Sequence, residues 1–233
     1  MPVTRLLTKE ELDSLREFST CMIANAVETF NLRLHNTGFT NGGIRCLFPD
    51  QPAMVGYAVT ARLRSGEPPM RGGTFHDRAD FWKQILASPS PRILVLQDMD
   101  QPPGRGAFLG DMHAAILTAL GCVGYVTNGA VRELPSIDPT GMHLFAGSVA
   151  VSHAYAHIFD FGATVSIDRM DVQPGDLLHG DRHGILTVPL QIAPELPAVA
   201  ARLQHMEQRV VEYCRSSNFS VNGLTQVLKD STS

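Results

Sequence analysis

Apolar residues follow two different patterns along the chain, and together these predict alternating strands and helices. The segments "AMVGYAVTARL" (53–63) and "RILVLQDM" (92–99) predict strands. The apolar residues of the second are continuous, which is typical of a strand buried on both faces. Between them, "DRADFWKQILAS" (77–88) has amphipathic spacing and predicts a helix. The helix "MHAAILTALGC" (112–122) and the short strand "VGYVT" (123–127) repeat the alternation.

The two ends of the chain are predicted to be mainly helical. Thr8 and Glu11 form a capping box that opens a first helix, and a second helix is expected over 20–30. Late in the chain, 165–189 predicts short strands joined by turns, and 195–217 predicts a long helix. The last residues, "LKDSTS", are expected to be frayed.

This order of elements predicts an α/β layered domain, because strands and helices alternate through the middle of the chain. A chain of 233 residues with 44% hydrophobic residues can bury one core, so we expect a single domain over 1–233. The formal net charge of −4, without any run of Lys and Arg, disfavours a nucleic-acid or anionic-membrane partner.

Location and cysteine usage add two expectations. The N-terminus lacks an apolar signal core, and no segment reaches the ~20 apolar residues of a membrane span, so a cytoplasmic protein is expected. The four cysteines are scattered without a C-x-x-C pair, which predicts buried reduced thiols rather than a zinc site or a disulfide framework.

The stretch "GDMHAAILTALGCVGYVTNGAVRE" (110–133) contains the candidate chemistry. Asp111 lies at the predicted start of a helix, and Arg132 and Glu133 follow the next strand, so a helix–strand unit can bring both ends to one sheet edge. The free amides at a helix start and a guanidinium together suit a small organic anion, and two carboxylates can hold a hard divalent cation. Spacing alone equally fits a helix cap at Asp111 and a solvated Arg132–Glu133 pair.

The same stretch resembles the signature of the RraA-like family, which includes class II 4-hydroxy-4-methyl-2-oxoglutarate / 4-carboxy-4-hydroxy-2-oxoadipate aldolases. In that signature an Asp is followed after twenty residues by Arg-Asp, and Asp111 and Arg132 match in type and spacing. "MVGYAVTARL" and "VQPGDLLHGDRHGILTVP" resemble two further segments of the family, so the resemblance runs over roughly residues 20 to 215. The chain departs from it with Asn128-Gly129 in place of Asp-Gly, and with Glu133 in place of the family's metal-binding Asp.

The resemblance implies an α/β/β/α layered, swivelling-domain-like (RraA-like) fold, assembled as a trimer or a dimer of trimers. It implies a Mg²⁺- or Mn²⁺-dependent lyase that cleaves a 4-hydroxy-2-oxo acid to pyruvate, with oxaloacetate decarboxylation as a side activity. The implied metal ligands are Glu133, Asp111 through water, and Glu207 from a neighbouring subunit. Arg132 and the helix start are expected to bind and activate the substrate; the helix-start residues are Gly110, Met112 and His113.

The residues themselves add one argument for a metal route. A Schiff-base aldolase needs a buried lysine, and the chain has only Lys9, Lys83 and Lys229, two of them near the termini. The alternative to an enzyme is a non-catalytic RraA-type regulator that binds a ribonuclease or another protein. Retention of Asp111, which the regulator branch lacks, favours the enzyme.

Two histidine clusters compete for a functional role. His153 and His157 in "HAYAH" have the i, i+4 spacing of a zinc pair but lack the Glu of H-E-x-x-H and a third ligand, so a metal role is disfavoured. His179 and His183 in "HGDRHG" are more typical of a turn between strands.

Overall fold

The helices form where apolar spacing and capping residues predict them. In the computed structural model, which describes residues 5–69 and 79–231, the Thr8 hydroxyl accepts from the Glu11 amide and the Glu11 carboxylate accepts from the Thr8 amide, so the capping box is confirmed. The helices of this part of the chain are α1 (Lys9–Arg16), α2 (Thr20–Glu28), α3 (Ala79–Ala87), α4 (Asp111–Ala119), α5 (Leu134–Ile137), α6 (Leu196–Arg215) and α7 (Val221–Ser231), with a 3₁₀ turn at Asp138–Thr140.

The structure contains all the predicted strands and several short strands that the sequence pattern did not predict. The described strands are β1 (Arg45–Cys46), β2 (Met54–Arg64), β3 (Arg92–Asp98), β4 (Ala107–Leu109), β5 (Cys122–Thr127), β6 (Ala130–Val131), β7 (His143–Ala146), β8 (Ser148–Val149), β9 (His157–Phe161), β10 (Val165–Ile167), β11 (Met170–Val172), β12 (Leu177–Asp181) and β13 (Gly184–Val188). Strands of two or three residues show no measurable periodicity, so they follow from tertiary pairing rather than from local sequence.

A mixed eight-stranded sheet organises the molecule. Its order is β1-β7-β5-β3-β2-β12-β13, and β9 pairs with the second half of β2. The central strands β2, β3, β5 and β7 are parallel, as expected for strands joined by helical crossovers, whereas the outer pairings are antiparallel. A second sheet, β4-β6-β8, is parallel and continues the chain directly beyond β3 and β5.

Both faces of the central sheet are covered, which explains the continuous apolar run of β3. On one face Leu94 and Leu96 pack with α3 and α4, and on the other Ile93 and Val95 pack with the β10–β11 hairpin. Each of these side chains is fully buried. Transfer of such a side chain from water into the core stabilises the fold by about 1.5–3 kcal/mol. Helices α1, α2 and α6 cover the β2–β12–β13 side, around Tyr57. The predicted α/β layered class is confirmed.

The "HGDRHG" segment connects the sheet to the N-terminal helices. His179 is fully buried; its Nε2 donates to the Leu15 carbonyl at 3.0 Å and its Nδ1 accepts from the Thr20 hydroxyl at 2.9 Å. Asp181 accepts from the Thr20 amide at 2.9 Å and pairs with His183 at 3.0 Å. Burial lowers the pKa of His179 and favours the neutral ring that this pattern of donor and acceptor requires. These residues hold helices in place, in agreement with the predicted turn.

Two expectations from the sequence are wrong. The tail is not frayed at its start, because Leu228 lies within α7; Thr232 and Ser233 are outside the described residues. The thiols are free, as expected, but only Cys122 is buried, whereas Cys21 and Cys214 are exposed on the helices α2 and α6. Helical amphipathicity allows a cysteine on either face, so residue type alone misplaced them.

Membrane-spanning character was also tested against the helices. Within the described ranges, no helix combines the length and hydropathy needed to cross a bilayer.

Burial of a second histidine makes stability sensitive to acid. Desolvation, with a smaller contribution from Arg16, lowers the pKa of His143 from 6.5 to about 4. The unfolded chain therefore binds a proton in this window that the folded chain does not, so this contribution to the free energy of unfolding is complete above pH 6.5 and is lost as pH falls toward about 4. We expect His143→Gln to reduce the loss of stability over that window, measured by urea unfolding. His205 is exposed on α6, so His205→Gln is the control. If the free energy of unfolding depends on pH equally in both variants, His143 is not the source of the acid sensitivity.

Candidate functional site

The charged residues of the signature are brought together by strand pairing. Strand β4 leads into α4 at Asp111, and β6 leads into Arg132 and Glu133. The two strands are parallel neighbours, and the Arg132 amide donates to the Leu109 carbonyl at 3.0 Å. The carboxyl ends of both strands therefore lie side by side. Asp111 and Arg132 are close in space although twenty residues separate them in the sequence.

A carboxylate lies at the centre of this arrangement. Glu133 Oε2 accepts from the Asp111 amide at 3.0 Å, and Oε1 pairs with Arg132 Nη2 at 2.9 Å. One side chain thus satisfies an unpaired amide at the start of α4 and orients the guanidinium. The Asp111 carboxylate accepts from the Met112 amide at 2.6 Å. The predicted amide donors at the helix start are present, but those of Asp111 and Met112 are engaged by protein carboxylates.

The backbone at Glu133 adopts a conformation that is unusual for its residue type. Its φ of 58° and ψ of 37° lie in the left-handed region, just before the short helix α5. A residue other than glycine pays about 1–3 kcal/mol to remain there, and such strain persists only where surrounding contacts enforce it. Here the contacts are the Arg132 ion pair and the bond to the Asp111 amide.

Gly110 provides the space that Glu133 occupies. A Cβ at this position would lie 2.4 Å from Glu133 Oε2 and 3.1 Å from Arg132 Nε. The backbone φ of −132° at Gly110 is accessible to any residue, so the requirement is close approach rather than a special dihedral angle.

A pocket of about 360 Å³ opens beside this cluster. It is lined by residues 107–108, 110–113, 132–133 and 153–157, together with Pro69. The structure therefore gathers Gly110, Asp111, Met112, His113 and both residues of the Arg132–Glu133 pair around one cavity. Glu207 is not in the lining; it is exposed on α6, where its carboxylate accepts from Asn25 Nδ2 at 3.3 Å.

The pocket also includes residues whose place the sequence did not reveal. His153 and His157 do not share a helix; they lie in the loop before β9 and at its first residue, with Nδ1 atoms 2.8 and 2.7 Å from the carbonyls of Ala154 and Tyr155. Their i, i+4 spacing is therefore not helical, and both residues line the site. Tyr155 was not singled out either, because a loop aromatic has no periodic signal.

His113 and Phe108 form the inner wall of the pocket. His113 is 9% exposed, and its ring lies 4.6 Å from that of Phe108, tilted by 41°. This burial is typical of a helix histidine that packs against its neighbours. His113 also belongs to the pocket lining, so a ligand could contact it.

A buried carboxylate positions the loop that leads into the site. Asp98, at the end of β3, accepts from the amides of Asp100 at 3.0 Å and Gly104 at 2.8 Å. Asn128 both accepts from the Asp98 amide at 2.7 Å and donates to the Asp98 carbonyl at 2.9 Å. An ionised aspartate has no donor and cannot make both bonds. The Asn-Gly departure therefore has a structural reason.

The donor set of the pocket was tested against a divalent cation. Among the residues that the structure describes, no group of three or more His, Cys, Asp or Glu side chains converges as a metal cage. Mg²⁺ is usually held by one or two carboxylates while substrate and water complete its shell. The carboxylates of Asp111 and Glu133 beside one cavity meet that smaller requirement. They fit a hydrated Mg²⁺ or Mn²⁺ better than a zinc ion, which favours a closed set of protein ligands.

Comparison with known proteins places this pocket in context. The family model "RraA-like", described as "Aldolase/RraA", matches residues 20–187. Protein DlpA of Legionella pneumophila is 23% identical over 72% of this chain and 27% of its own length. A putative 4-hydroxy-4-methyl-2-oxoglutarate aldolase of Halalkalibacterium halodurans is 26% identical over 58% of this chain and 60% of its own length. The chain thus spans less than two thirds of either of these relatives.

Solved structures agree with the fold. An uncharacterized protein from Pseudomonas syringae pv. tomato superposes with a TM-score of 0.74 at 22% identity, covering 97% of this chain and 96% of its own. RraAS2 of Streptomyces coelicolor, described as an unusual member of the RNase ES inhibitor RraA protein family, gives 0.67 at 20% identity, covering 88% and 96%. The expected RraA-like architecture is confirmed.

The close approach at Gly110 gives a direct test of the cluster. We expect Gly110→Ala to lower the free energy of unfolding by roughly 1–3 kcal/mol, because the new methyl group overlaps Glu133 Oε2. In a Glu133→Ala background the same substitution should lose most of this effect, as a double-mutant cycle by urea unfolding would measure. An unchanged effect in that background would show that Glu133 does not occupy the space.

Proposed function

The chain belongs to the RraA-like family, and we propose that it is a divalent-metal-dependent lyase that cleaves a 4-hydroxy-2-oxo acid to pyruvate and a second oxo compound. One observation carries the proposal: Asp111, Arg132 and Glu133 meet beside one pocket at the start of α4. Pockets of roughly 300–1,000 Å³ are typical for small ligands, and this one lies within that range.

Arg132 is the substrate-binding group in this proposal. Its side chain is 30% exposed. Nη2 donates to Glu133 at 2.9 Å and Nη1 donates to the Val151 carbonyl at 3.5 Å, while the planar fork offers five N–H donors in total. The remaining donors suit the carboxylate of a 2-oxo acid, in the bidentate geometry that arginine favours. The positive end of α4 adds a favourable field for the same anion.

Glu133 and Asp111 would hold the cation, Glu133 directly and Asp111 through water. A bound Mg²⁺ or Mn²⁺ would supply Lewis acidity toward the oxygen on which negative charge develops. Glu133 keeps Arg132 in place at the same time, so the substrate carboxylate and the keto oxygen are aligned by one fixed side chain. Glu207 stays a predicted contribution from a neighbouring subunit in a trimer or dimer of trimers.

The reaction then needs a proton acceptor for the 4-hydroxyl group and a group that stabilises the enolate. A water in the pocket removes the proton of the 4-hydroxyl group, the C3–C4 bond breaks, and its electron pair passes to pyruvate enolate. Arg132 and the helix start stabilise the charge that the enolate carries. The same enolate forms when oxaloacetate loses CO₂, so decarboxylation of oxaloacetate is the expected side activity.

The second hypothesis is an RraA-type regulator that binds a ribonuclease or another protein. The family description includes both aldolases and RraA, and the fold is shared with RraAS2. The retained Asp111 beside the Arg132–Glu133 pair favours the enzyme.

Loss of the guanidinium tests the proposed binding mode. We expect the wild-type chain to release pyruvate from 4-hydroxy-2-oxo acids with Mg²⁺ or Mn²⁺, and to lose that activity with a chelator. Arg132→Ala should lower kcat/KM by about 100-fold, because the carboxylate and the developing charge lose their main partner. The exposed Arg209→Ala on α6 is the matched control. If no such acid and no oxaloacetate yields pyruvate, the regulator hypothesis gains over the enzyme.

The length of Glu133 gives a separate prediction. Shortening it in Glu133→Asp withdraws the carboxylate by about one C–C bond length, roughly 1.5 Å, and breaks its reach to the Asp111 amide. We therefore expect kcat/KM for pyruvate release to fall on the order of tenfold to 100-fold. Activity gained in Glu133→Asp would instead mean that the glutamate disables an ancestral aspartate site.

A further inference from the structure

The pocket has two chemically different walls, and the second one has no role in binding the 2-oxo acid. The charged wall is built by α4 and the residues after β6. The facing elements are β4 and the 153–157 loop, which are joined by the bond from the Ala107 amide to the Ser152 carbonyl at 3.0 Å. Their side chains in the lining include Phe108, Tyr155 and three alanines.

We propose that this second wall selects a substrate whose C4 substituent is uncharged and apolar, rather than a second carboxylate. The proposal rests on the lyase function argued above. It names the substrate class as 4-hydroxy-2-oxo monocarboxylic acids with an aryl or alkyl group at C4, which are cleaved to pyruvate and an apolar aldehyde.

Charge is the first argument. Apart from its histidines, the lining that the structure describes carries two carboxylates, Asp111 and Glu133, and one guanidinium, Arg132. A divalent cation leaves this part of the pocket with one net positive charge, which a single substrate carboxylate neutralises. A second carboxylate would enter without a cationic partner among these residues, because Arg132 and the cation are taken by the first carboxylate. Binding takes part of a ligand out of water, and a carboxylate that loses water without gaining a partner costs free energy, so this lining disfavours a second carboxylate.

Shape and surface are the second argument. The Tyr155 side chain is 54% exposed and Met112 is 51% exposed, although both border the cavity, so each presents uncovered apolar surface to a ligand. Phe108, whose ring lies against His113, belongs to this second wall. A volume of about 360 Å³ exceeds what pyruvate alone needs, and the lining beyond the charged residues includes Phe108, Tyr155 and three alanines.

The histidines of the lining are compatible with this assignment. The Nδ1 atoms of His153 and His157 are turned to carbonyls of their own loop. Their rings add flat surface to the lining, which suits an aromatic group.

The cleavage balances without an added reagent. The 4-hydroxyl loses its proton, the C3–C4 bond breaks, and its electron pair becomes the enolate of pyruvate while the aldehyde leaves. A proton then adds to C3, so no oxidant or reductant is consumed.

The test compares two 2-oxo acids that lack the 4-hydroxyl and cannot be cleaved. Calorimetric titration with Mg²⁺ present should show 4-phenyl-2-oxobutanoate binding about tenfold more tightly than 2-oxoglutarate, an effect of the size that hydrophobic pockets achieve. Tyr155→Ala should weaken the phenyl compound alone. Phe159→Ala is the matched control, since Phe159 is a similarly exposed aromatic outside the pocket lining.

The outcomes separate this proposal from the proposed function. Equal or tighter binding of 2-oxoglutarate, or equal effects of the two aromatic variants, overturns the apolar-substituent assignment. If the phenyl compound is preferred and Tyr155→Ala alone weakens it, while no 4-hydroxy-2-oxo acid releases pyruvate, the specificity stands and the lyase function falls.

Discussion

The site depends on the placement of one carboxylate. Glu133 satisfies an amide at the start of α4 through one oxygen and fixes Arg132 through the other. Without it, the guanidinium and the helix start would be two separate positive features at the end of two strands. The left-handed backbone at Glu133 and the missing side chain at Gly110 are the local conditions that allow this geometry. The backbone of Glu133 also begins α5, where its carbonyl accepts from the Ser136 amide at 3.0 Å.

The larger fold provides the frame that keeps this cluster rigid. Parallel pairing of β4 with β6 aligns the two strand ends, and the buried central sheet behind them is packed on both faces. Asp98 and Asn128 hold the connecting loop by backbone hydrogen bonds. Such rigidity matters because catalytic and binding groups must keep their mutual geometry within fractions of an ångström.

The sequence predicted the fold and half of the pocket, for identifiable physical reasons. Long elements such as β3 and α4 have enough residues to show a period, and Gly110–Asp111 and Arg132–Glu133 have spacing that strand pairing converts into proximity. On the opposite wall Tyr155 was missed, because it belongs to a loop, where tertiary contacts alone decide position. The histidines at 153 and 157 were noted only for their i, i+4 spacing, which does not show that their segment is a loop beside the pocket. Cys21 and Cys214 were predicted to be buried because residue type alone does not show which face of a helix a cysteine occupies.

The central claim is that Asp111, Arg132 and Glu133 act as one site for a cation and a 2-oxo acid. The most direct measurement is a crystal soaked with Mn²⁺ and oxalate, a stable mimic of pyruvate enolate, examined by anomalous diffraction. The account predicts one manganese peak in contact with Glu133, a water bridging it to Asp111, and oxalate bound to both the metal and Arg132. Manganese away from both carboxylates, or oxalate bound without contact to Arg132, would contradict it.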